Sequence, residues 1–153
     1  VDITGKNIRL GISLSDLYKK LATYPVKGAY VFLDACFSGG YKSAAPLLAQ
    51  KGVRVVPKVG LPQGNTLSFS SSSGDQTSSV YHEKKQGYYT YFLIKTIRDA
   101  KGNISMKELF DRTSAAVKRA TALIDKIQEP QCMASPTWIG WEDIKLETPV
   151  VTP

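Results

Sequence analysis

The stretch AYVFLDACFSGG, residues 29–40, joins an apolar run to a polar turn that ends in two glycines. The run from Ala29 to Ala35 lacks the alternation of apolar and polar side chains, which predicts a central parallel strand covered on both faces. In open α/β sheets, reactive groups gather beyond the carboxyl ends of the strands. Cys36 lies at that place in the sequence, so it is the first candidate for a functional site.

Composition limits the other classes of function. The chain has 153 residues, of which 42 % are hydrophobic, and this predicts one globular domain. No apolar run approaches the ~18 residues that a membrane span needs, so we expect none. The net charge is +7, but Lys and Arg are scattered, and we expect no nucleic-acid partner. The two cysteines, Cys36 and Cys132, make neither a disulfide framework nor a zinc cluster, and we expect no metal or other cofactor.

A first helix is predicted over residues 13–25. Ser13 is its capping residue, Asp16 follows three positions later as in a capping box, and Pro25 stops the helix. The apolar side chains at helical spacing share one face, and they are Leu14, Leu17, Tyr18 and Leu21.

Two longer helices are predicted in the second half. The segment 87–102 is apolar nearly all round, so we expect a buried helix that ends before Gly102. The segment 105–128 begins with Ser105 and Glu108, a second capping box. Its apolar residues keep helical spacing to the end of the segment, and they are Met106, Leu109, Phe110, Val117, Ala120, Ile124 and Ile127.

Shorter patterns complete the predicted fold. A short helix is expected over 43–52, strands over 53–60 and 65–73, and a last strand around Trp138. Alternating helices and strands favour an α/β fold, a mostly parallel sheet flanked by helices. We assign residues 1–147 to this domain and 148–153 to a tail.

The environment of Cys36 favours a chemical role for its thiol. Ser38 and the glycines after it leave the backbone unhindered, so its N–H groups can approach a ligand and donate to a developing oxyanion. Cys-based phosphatases need an Arg six residues after the cysteine to bind phosphate through two hydrogen bonds. This chain has Lys42 at that position, so we set a phosphatase aside. Cys132, in a stretch predicted to be irregular, is interpreted as a small buried hydrophobic residue.

The motif DACFSGG after an apolar strand resembles the cysteine motif of the caspase-like cysteine peptidases, which include caspases, paracaspases, metacaspases and bacterial relatives. The segments GISLSDLYKKL, SGDQTSSVYHEKKQGYYTYFLIKTI and ISMKELF also resemble that family, and together the likeness covers about residues 10–140. The resemblance implies a caspase-like sandwich around a mostly parallel sheet. It also implies a cysteine endopeptidase.

The resemblance assigns roles to two residues. Cys36 would be the nucleophile, and its backbone N–H would form half of the oxyanion hole. Asp34 would line the pocket for the substrate residue before the cut, where a carboxylate pairs with Lys or Arg and repels an acidic side chain. The alternative for Asp34 is structural, with the carboxylate accepting backbone N–H bonds and shaping the turn.

The resemblance also implies residues of the substrate groove. Asp75 would add a second carboxylate to the pocket, and the strand around Ser70 and Ser71 would bind the substrate backbone in extended form. Caspases carry an Arg on the far wall of this pocket, whereas the matching segment here, QTSSVYH, has none. This departure argues against caspase specificity and favours basic substrates.

The catalytic histidine of the family lies upstream of the cysteine, about 50 residues earlier in caspases. None precedes Cys36 here, and His82, the only histidine, lies in a charged stretch interpreted as a solvated loop. We therefore expect an amino-terminal chain of the same precursor to supply the histidine after a maturing cleavage. The alternatives are a non-catalytic caspase-like scaffold and a protease with another substrate preference.

Many metacaspases require calcium, which binds six to eight oxygen ligands. The segment after Cys36, FSGGYKSAAPLL, contains no carboxylate. We expect no calcium site there.

Overall fold

The computed structural model describes residues 12–35, 60–73 and 76–146. Within these ranges the chain forms an α/β fold with short 3₁₀ helices at His82–Lys84 and Trp141–Asp143. The helices are α1 (Leu14–Ala22), α2 (Tyr88–Asp99) and α3 (Met106–Ala122), and the strands are β1 (Ala29–Leu33), β2 (Thr66–Ser70), β3 (Val80–Tyr81), β4 (Gln86–Gly87) and β5 (Gln131–Ala134). The predicted helix at 43–52, the predicted strand at 53–60 except Gly60, and the tail lie outside the described residues.

The main sheet of the described residues has the strand order β1-β2-β5. β1 and β2 run parallel, with Ala29 opposite Thr66 and Leu33 opposite Ser70. β5 pairs antiparallel with the other edge of β2, and β3 and β4 form a separate antiparallel pair. Because β1 and β2 are parallel and in register, the residues after both strands meet at one edge of the sheet.

The fully buried strand is β2, whereas β1, predicted to be covered on both faces, is half-buried in the described structure. All five residues of β2 are buried, whereas those of β1 are half-buried and Phe32 is 38 % exposed. β2 has a hydrogen-bonded neighbour on each side, but in the described ranges β1 pairs only with β2. β1 also ends at Leu33, two residues before the predicted end.

Helix α1 forms as its capping pattern predicts. The Ser13 hydroxyl oxygen accepts the N–H of Asp16 at 3.0 Å, and the Ser13 hydroxyl donates to the Asp16 carboxylate at 2.7 Å. On the apolar face Tyr18 is fully buried and donates its hydroxyl to Ser68 Oγ at 2.8 Å. This contact fixes α1 against the central strand of the described sheet.

Helices α2 and α3 also form, but their predicted burial and length need correction. α2 is only half-buried, with Ile94 54 % exposed, because one face packs on the core and the other faces solvent. α3 begins at the Ser105 cap, as predicted, and ends at Ala122. Asp125 follows in the left-handed region at φ 53, and Ile127 beyond it is 76 % exposed. The apolar spacing therefore continues past the helix without marking a buried face.

The prediction of a strand around Trp138 is wrong. The strand is β5, which contains Cys132 in place of the irregular stretch predicted there. Ser135 donates its N–H to Thr66 O and extends the strand pairing by one bond, and Trp138 then donates its N–H to Ser135 O in a turn. The intervening Pro136 has no N–H to continue the sheet.

The core lies between the main sheet and helices α2 and α3. Its buried side chains come from the central strand, both helices and the segments beside them, and they are Leu67, Phe69, Tyr89, Ile104, Met106, Leu109, Val117 and Trp138. Among the described residues, the structure contains no helix with the length and hydropathy that would let it cross a membrane.

Candidate active site

The Asp34 carboxylate lies directly after β1 and is held by three donors. Ser78 Oγ donates to Asp34 Oδ1 at 2.5 Å, and Thr90 Oγ1 donates to Asp34 Oδ2 at 2.5 Å. The backbone N–H of Thr90 also donates to Oδ2, at 3.3 Å. The carboxylate is thus fixed in position by a loop and by a helix that follow it in sequence by 44 and 56 residues.

Asp34 supplies the cap that helix α2 lacks in its own sequence. The N-cap residue is Gly87, which has no side chain to accept an N–H of the first turn. Asp34 accepts the N–H of Thr90 in that turn, and its negative charge lies at the positive end of the helix. The structural alternative for Asp34 is therefore seen in the contacts, and it leaves open a second role toward substrate.

Gly87 is required for this approach because of space. Its backbone is extended, at φ −69 and ψ 150, a conformation that any residue adopts. However, a Cβ at this position would overlap the Asp34 carboxylate. Glycine at 87 thus lets the carboxylate reach the start of α2.

We expect Gly87→Ala to destabilise the protein by about 1–3 kcal/mol, the cost of overpacking a well-packed site. Urea unfolding is measured for Gly87→Ala, for Asp34→Ala and for the double variant. The comparison shows whether the overlap with the Asp34 carboxylate causes the loss of stability. Because removing the carboxylate removes the overlap, Gly87→Ala should cost clearly less in the Asp34→Ala background. An equal cost in both backgrounds would contradict this explanation.

Hydrogen bonds join the segments that follow β1 and β2, at the edge of the sheet from which the chain continues to Cys36. Ser71, fully buried, donates its N–H to Leu33 O at 2.8 Å and its hydroxyl to Ala35 O at 3.3 Å. Ser70 donates its hydroxyl to Ser72 O at 3.3 Å. Ala35, the residue before Cys36, is thereby held against the end of β2, while Cys36 itself lies outside the described residues.

The pairing of β2 with its neighbours limits where an extended substrate could bind to its backbone. Along Thr66–Ser70 the backbone already pairs with β1 on one side and β5 on the other. The N–H of Ser71 bonds Leu33 O, and its carbonyl accepts Gln128 Nε2 at 3.0 Å. A substrate strand that pairs here must do so beyond Ser71.

Two residues after α3 support the loop that carries Ser78. Gln128 is 1 % exposed, and its amide bridges the loop by accepting the N–H of Ser79 at 2.9 Å and donating to Ser71 O. Gln76 Nε2 donates to Glu129 Oε2 at 3.1 Å, and Glu129 N–H donates to Gln76 Oε1 at 2.7 Å. These contacts fix the far side of the Asp34 site.

The sequence analysis missed the partners of Asp34, namely Ser78, Thr90 and Gly87, and the bridging Gln128. One signal was available, because α2 starts at a glycine and lacks a Ser, Thr, Asp or Asn cap of its own. Such a start indicates a cap from elsewhere in the chain. No local pattern identifies Gln128, whose two partners are distant in sequence.

His82 and Cys132 are two further candidate residues that the structure describes. His82 begins an exposed 3₁₀ helix, which agrees with the solvated position expected for it. Cys132 is half-buried in β5, and burial raises the pKa of its thiol to about 12. This thiol stays protonated at neutral pH and is a poor nucleophile. Asp75 and the segment 37–48 considered for calcium lie outside the described residues.

Two further observations concern the pKa of a tyrosine beside the site and the search for metal-binding groups. Burial, together with the nearby Asp34 carboxylate and Cys132, raises the pKa of Tyr89, which remains a neutral phenol beside the site. In residues 12–35, 60–73 and 76–146, no group of three or more His, Cys, Asp or Glu side chains is arranged to hold a metal ion.

A comparison with protein families identifies the class to which the chain belongs. A model of the caspase domain matches residues 3–137. The chain therefore belongs to the caspase-domain family of cysteine peptidases, and the predicted family is confirmed. A comparison with curated proteins finds no match to this chain.

Proposed function

We propose that the protein is a cysteine endopeptidase that cuts after Lys or Arg, with Cys36 as nucleophile and Asp34 at the base of the pocket for the basic side chain. The observation that carries the proposal is the position of the Asp34 carboxylate, fixed two residues before Cys36 at the carboxyl edge of the sheet. The caspase-domain match supports the class of reaction.

The charge around Asp34 supports a basic substrate. Its three donors, from Ser78 and Thr90, are neutral groups that hold the carboxylate without balancing its charge. None of the ion pairs formed among the described residues includes Asp34, and its side chain is exposed. A Lys or Arg side chain of the substrate would supply the missing positive charge, whereas an acidic side chain would be repelled. We propose that Asp75 adds a second carboxylate.

The proposed reaction follows the Cys–His pattern. The Cys36 thiolate attacks the carbonyl carbon of the scissile bond, and backbone N–H groups, including that of Cys36, stabilise the oxyanion. The imidazolium protonates the leaving amine, the C–N bond breaks, and a thioester remains on Cys36. Water, deprotonated by the imidazole, then attacks the thioester and releases the acid and the thiolate.

We propose that a companion chain, cut from the same precursor, supplies this imidazole. His82 is exposed in a 3₁₀ helix, as expected for a residue without a catalytic role, and the chain has no other histidine. β1, whose residues lead to Cys36, pairs in the described ranges only with β2. A strand of the companion beside β1 would complete the caspase-like sandwich and bring its histidine to the same edge.

The test offers three fluorogenic peptides, ending in Arg, Lys or Asp before the reporter, to the complete two-chain protein. We expect cleavage of the Arg and Lys peptides at least about 100-fold faster than of the Asp peptide, because an opposite-charge pair forms with Asp34 in one case and a like-charge contact in the other. The 153-residue chain alone is the matched control and should be inactive. Cleavage of the Asp peptide alone would contradict the role of Asp34, and activity of the chain alone would contradict the companion.

A non-catalytic scaffold is the second candidate, favoured by the exposed position of the single histidine. It predicts no turnover of any of the three peptides by the complete two-chain protein. A protease with another preference predicts turnover that does not depend on a basic residue.

A further inference from the structure

We propose that Thr90 sets the relative acceptance of Lys and Arg, because it occupies the acceptor positions on Asp34 that a bidentate Arg would need. This inference rests on the proposed function and goes further, since it concerns the choice between two basic residues. It also makes Thr90 a specificity-determining residue that acts through Asp34.

The argument starts from the acceptor positions of the carboxylate. Two carboxylate oxygens offer about four lone-pair positions in total, two on each oxygen. Asp34 Oδ2 accepts both the hydroxyl and the backbone N–H of Thr90, at 2.5 and 3.3 Å, so both of its positions are used. Oδ1 accepts Ser78 Oγ at 2.5 Å and keeps one position.

The two basic side chains differ in what they need from such a carboxylate. Guanidinium pairs with a carboxylate through two parallel N–H bonds, one to each oxygen, whereas ammonium is a compact charge that needs only one acceptor. Lys can use the remaining position on Oδ1. Arg cannot pair with both oxygens unless Thr90 gives up a bond to Oδ2. The fork geometry that normally favours Arg is therefore lost at this site.

Thr90 is well placed to keep Oδ2 occupied. It lies in the first turn of α2, where its N–H has no partner within the helix, so the bond to Asp34 satisfies a donor that would otherwise lack one. The side chain and the backbone of one residue thus hold the same oxygen. Gly87 allows the close approach that both bonds require.

The experiment compares kcat/KM for Arg and Lys peptides in the complete two-chain protein and its variants. Thr90→Val removes the hydroxyl at nearly constant shape, and Thr90→Ala is measured in parallel in case the added methyl group beside the carboxylate impairs folding. Thr90→Ser keeps the hydroxyl. Ser78→Ala removes an equally short bond from Asp34 but leaves Oδ2 occupied. The Arg-to-Lys ratio is the readout because the fraction of active enzyme cancels in it.

We expect the Arg-to-Lys ratio to rise by at least about fivefold in Thr90→Val and Thr90→Ala, as one further charge-assisted hydrogen bond becomes available to Arg. In Thr90→Ser and Ser78→Ala it should stay within about twofold of the parent, the spread of context effects on such bonds. Any other pattern among cleaving variants overturns this inference and leaves the proposed function standing. A parent complex that cleaves neither peptide overturns both.

Discussion

Cys36→Ala is expected to abolish peptide cleavage by the complete two-chain protein. Removing the nucleophile of a covalent mechanism lowers kcat on the order of 10⁴-fold or more, since only transition-state binding remains. The measurement is initial-rate turnover of the Arg peptide, with circular dichroism to show that the variant is folded. Turnover of the variant at a tenth of the parent rate or more would exclude Cys36 as the nucleophile.

Cys132→Ala is the matched control, and its activity should be close to that of the parent. Burial keeps the pKa of the Cys132 thiol at about 12, so at neutral pH this thiol is not ionised. Iodoacetamide should therefore label Cys36 and leave Cys132 intact, as peptide mapping can show. Inactivation accompanied by labelling of Cys132 alone would contradict the assignment.

Asp34→Asn is expected to lower kcat/KM for the Arg and Lys peptides by about 100-fold, the loss that follows when a charge partner is removed. Asparagine keeps the shape of aspartate but loses the charge, so the basic side chain would be left unpaired. Cleavage of the Asp peptide should not fall, because like-charge repulsion is removed with the carboxylate. An equal loss for all three peptides would indicate a purely structural role.

The same substitution should also lower the free energy of unfolding by about 0.3–1 kcal/mol, because it removes a negative charge from the positive end of α2 while the asparagine oxygen can still accept the Thr90 N–H. Asp111→Asn on α3 is the control for a neutralised carboxylate, since Asp111 pairs with Lys107 in an exposed ion pair worth little. Its effect on stability and on cleavage of all three peptides should be small. A similar loss in both variants would show that overall charge, rather than the position of Asp34, is responsible.

Local rules predicted the starts of the helices well. Ser13 and Ser105 accept the N–H groups that their capping patterns assign to them, and Gly102 follows α2 at φ 74. These features depend on neighbouring residues only, so the sequence contains them. The caspase-domain match likewise agrees with the resemblance seen in the Asp-Ala-Cys motif.

Local rules failed at the end of α3, at β5 and for the partners of Asp34. The apolar spacing continued from α3 to Ile127, but Asp125 adopts a left-handed conformation and the chain leaves the helix. β5 is a short strand specified by pairing with β2, and nothing in its own sequence marks it. The contacts of Asp34 with Ser78 and Thr90 join residues that no local pattern relates. The sequence therefore predicted Asp34 as a residue of the candidate site, but it did not predict the residues that support Asp34.

The overlap between a Cβ at position 87 and the Asp34 carboxylate has a consequence for how this site can evolve. A lineage that first shortened residue 34 would be free to replace Gly87 with alanine. After that second substitution, an aspartate at position 34 would clash with the alanine at position 87. The acidic residue could then return only if position 87 first reverted to glycine. Substrate preference at this position should thus drift in one direction more readily than in the other.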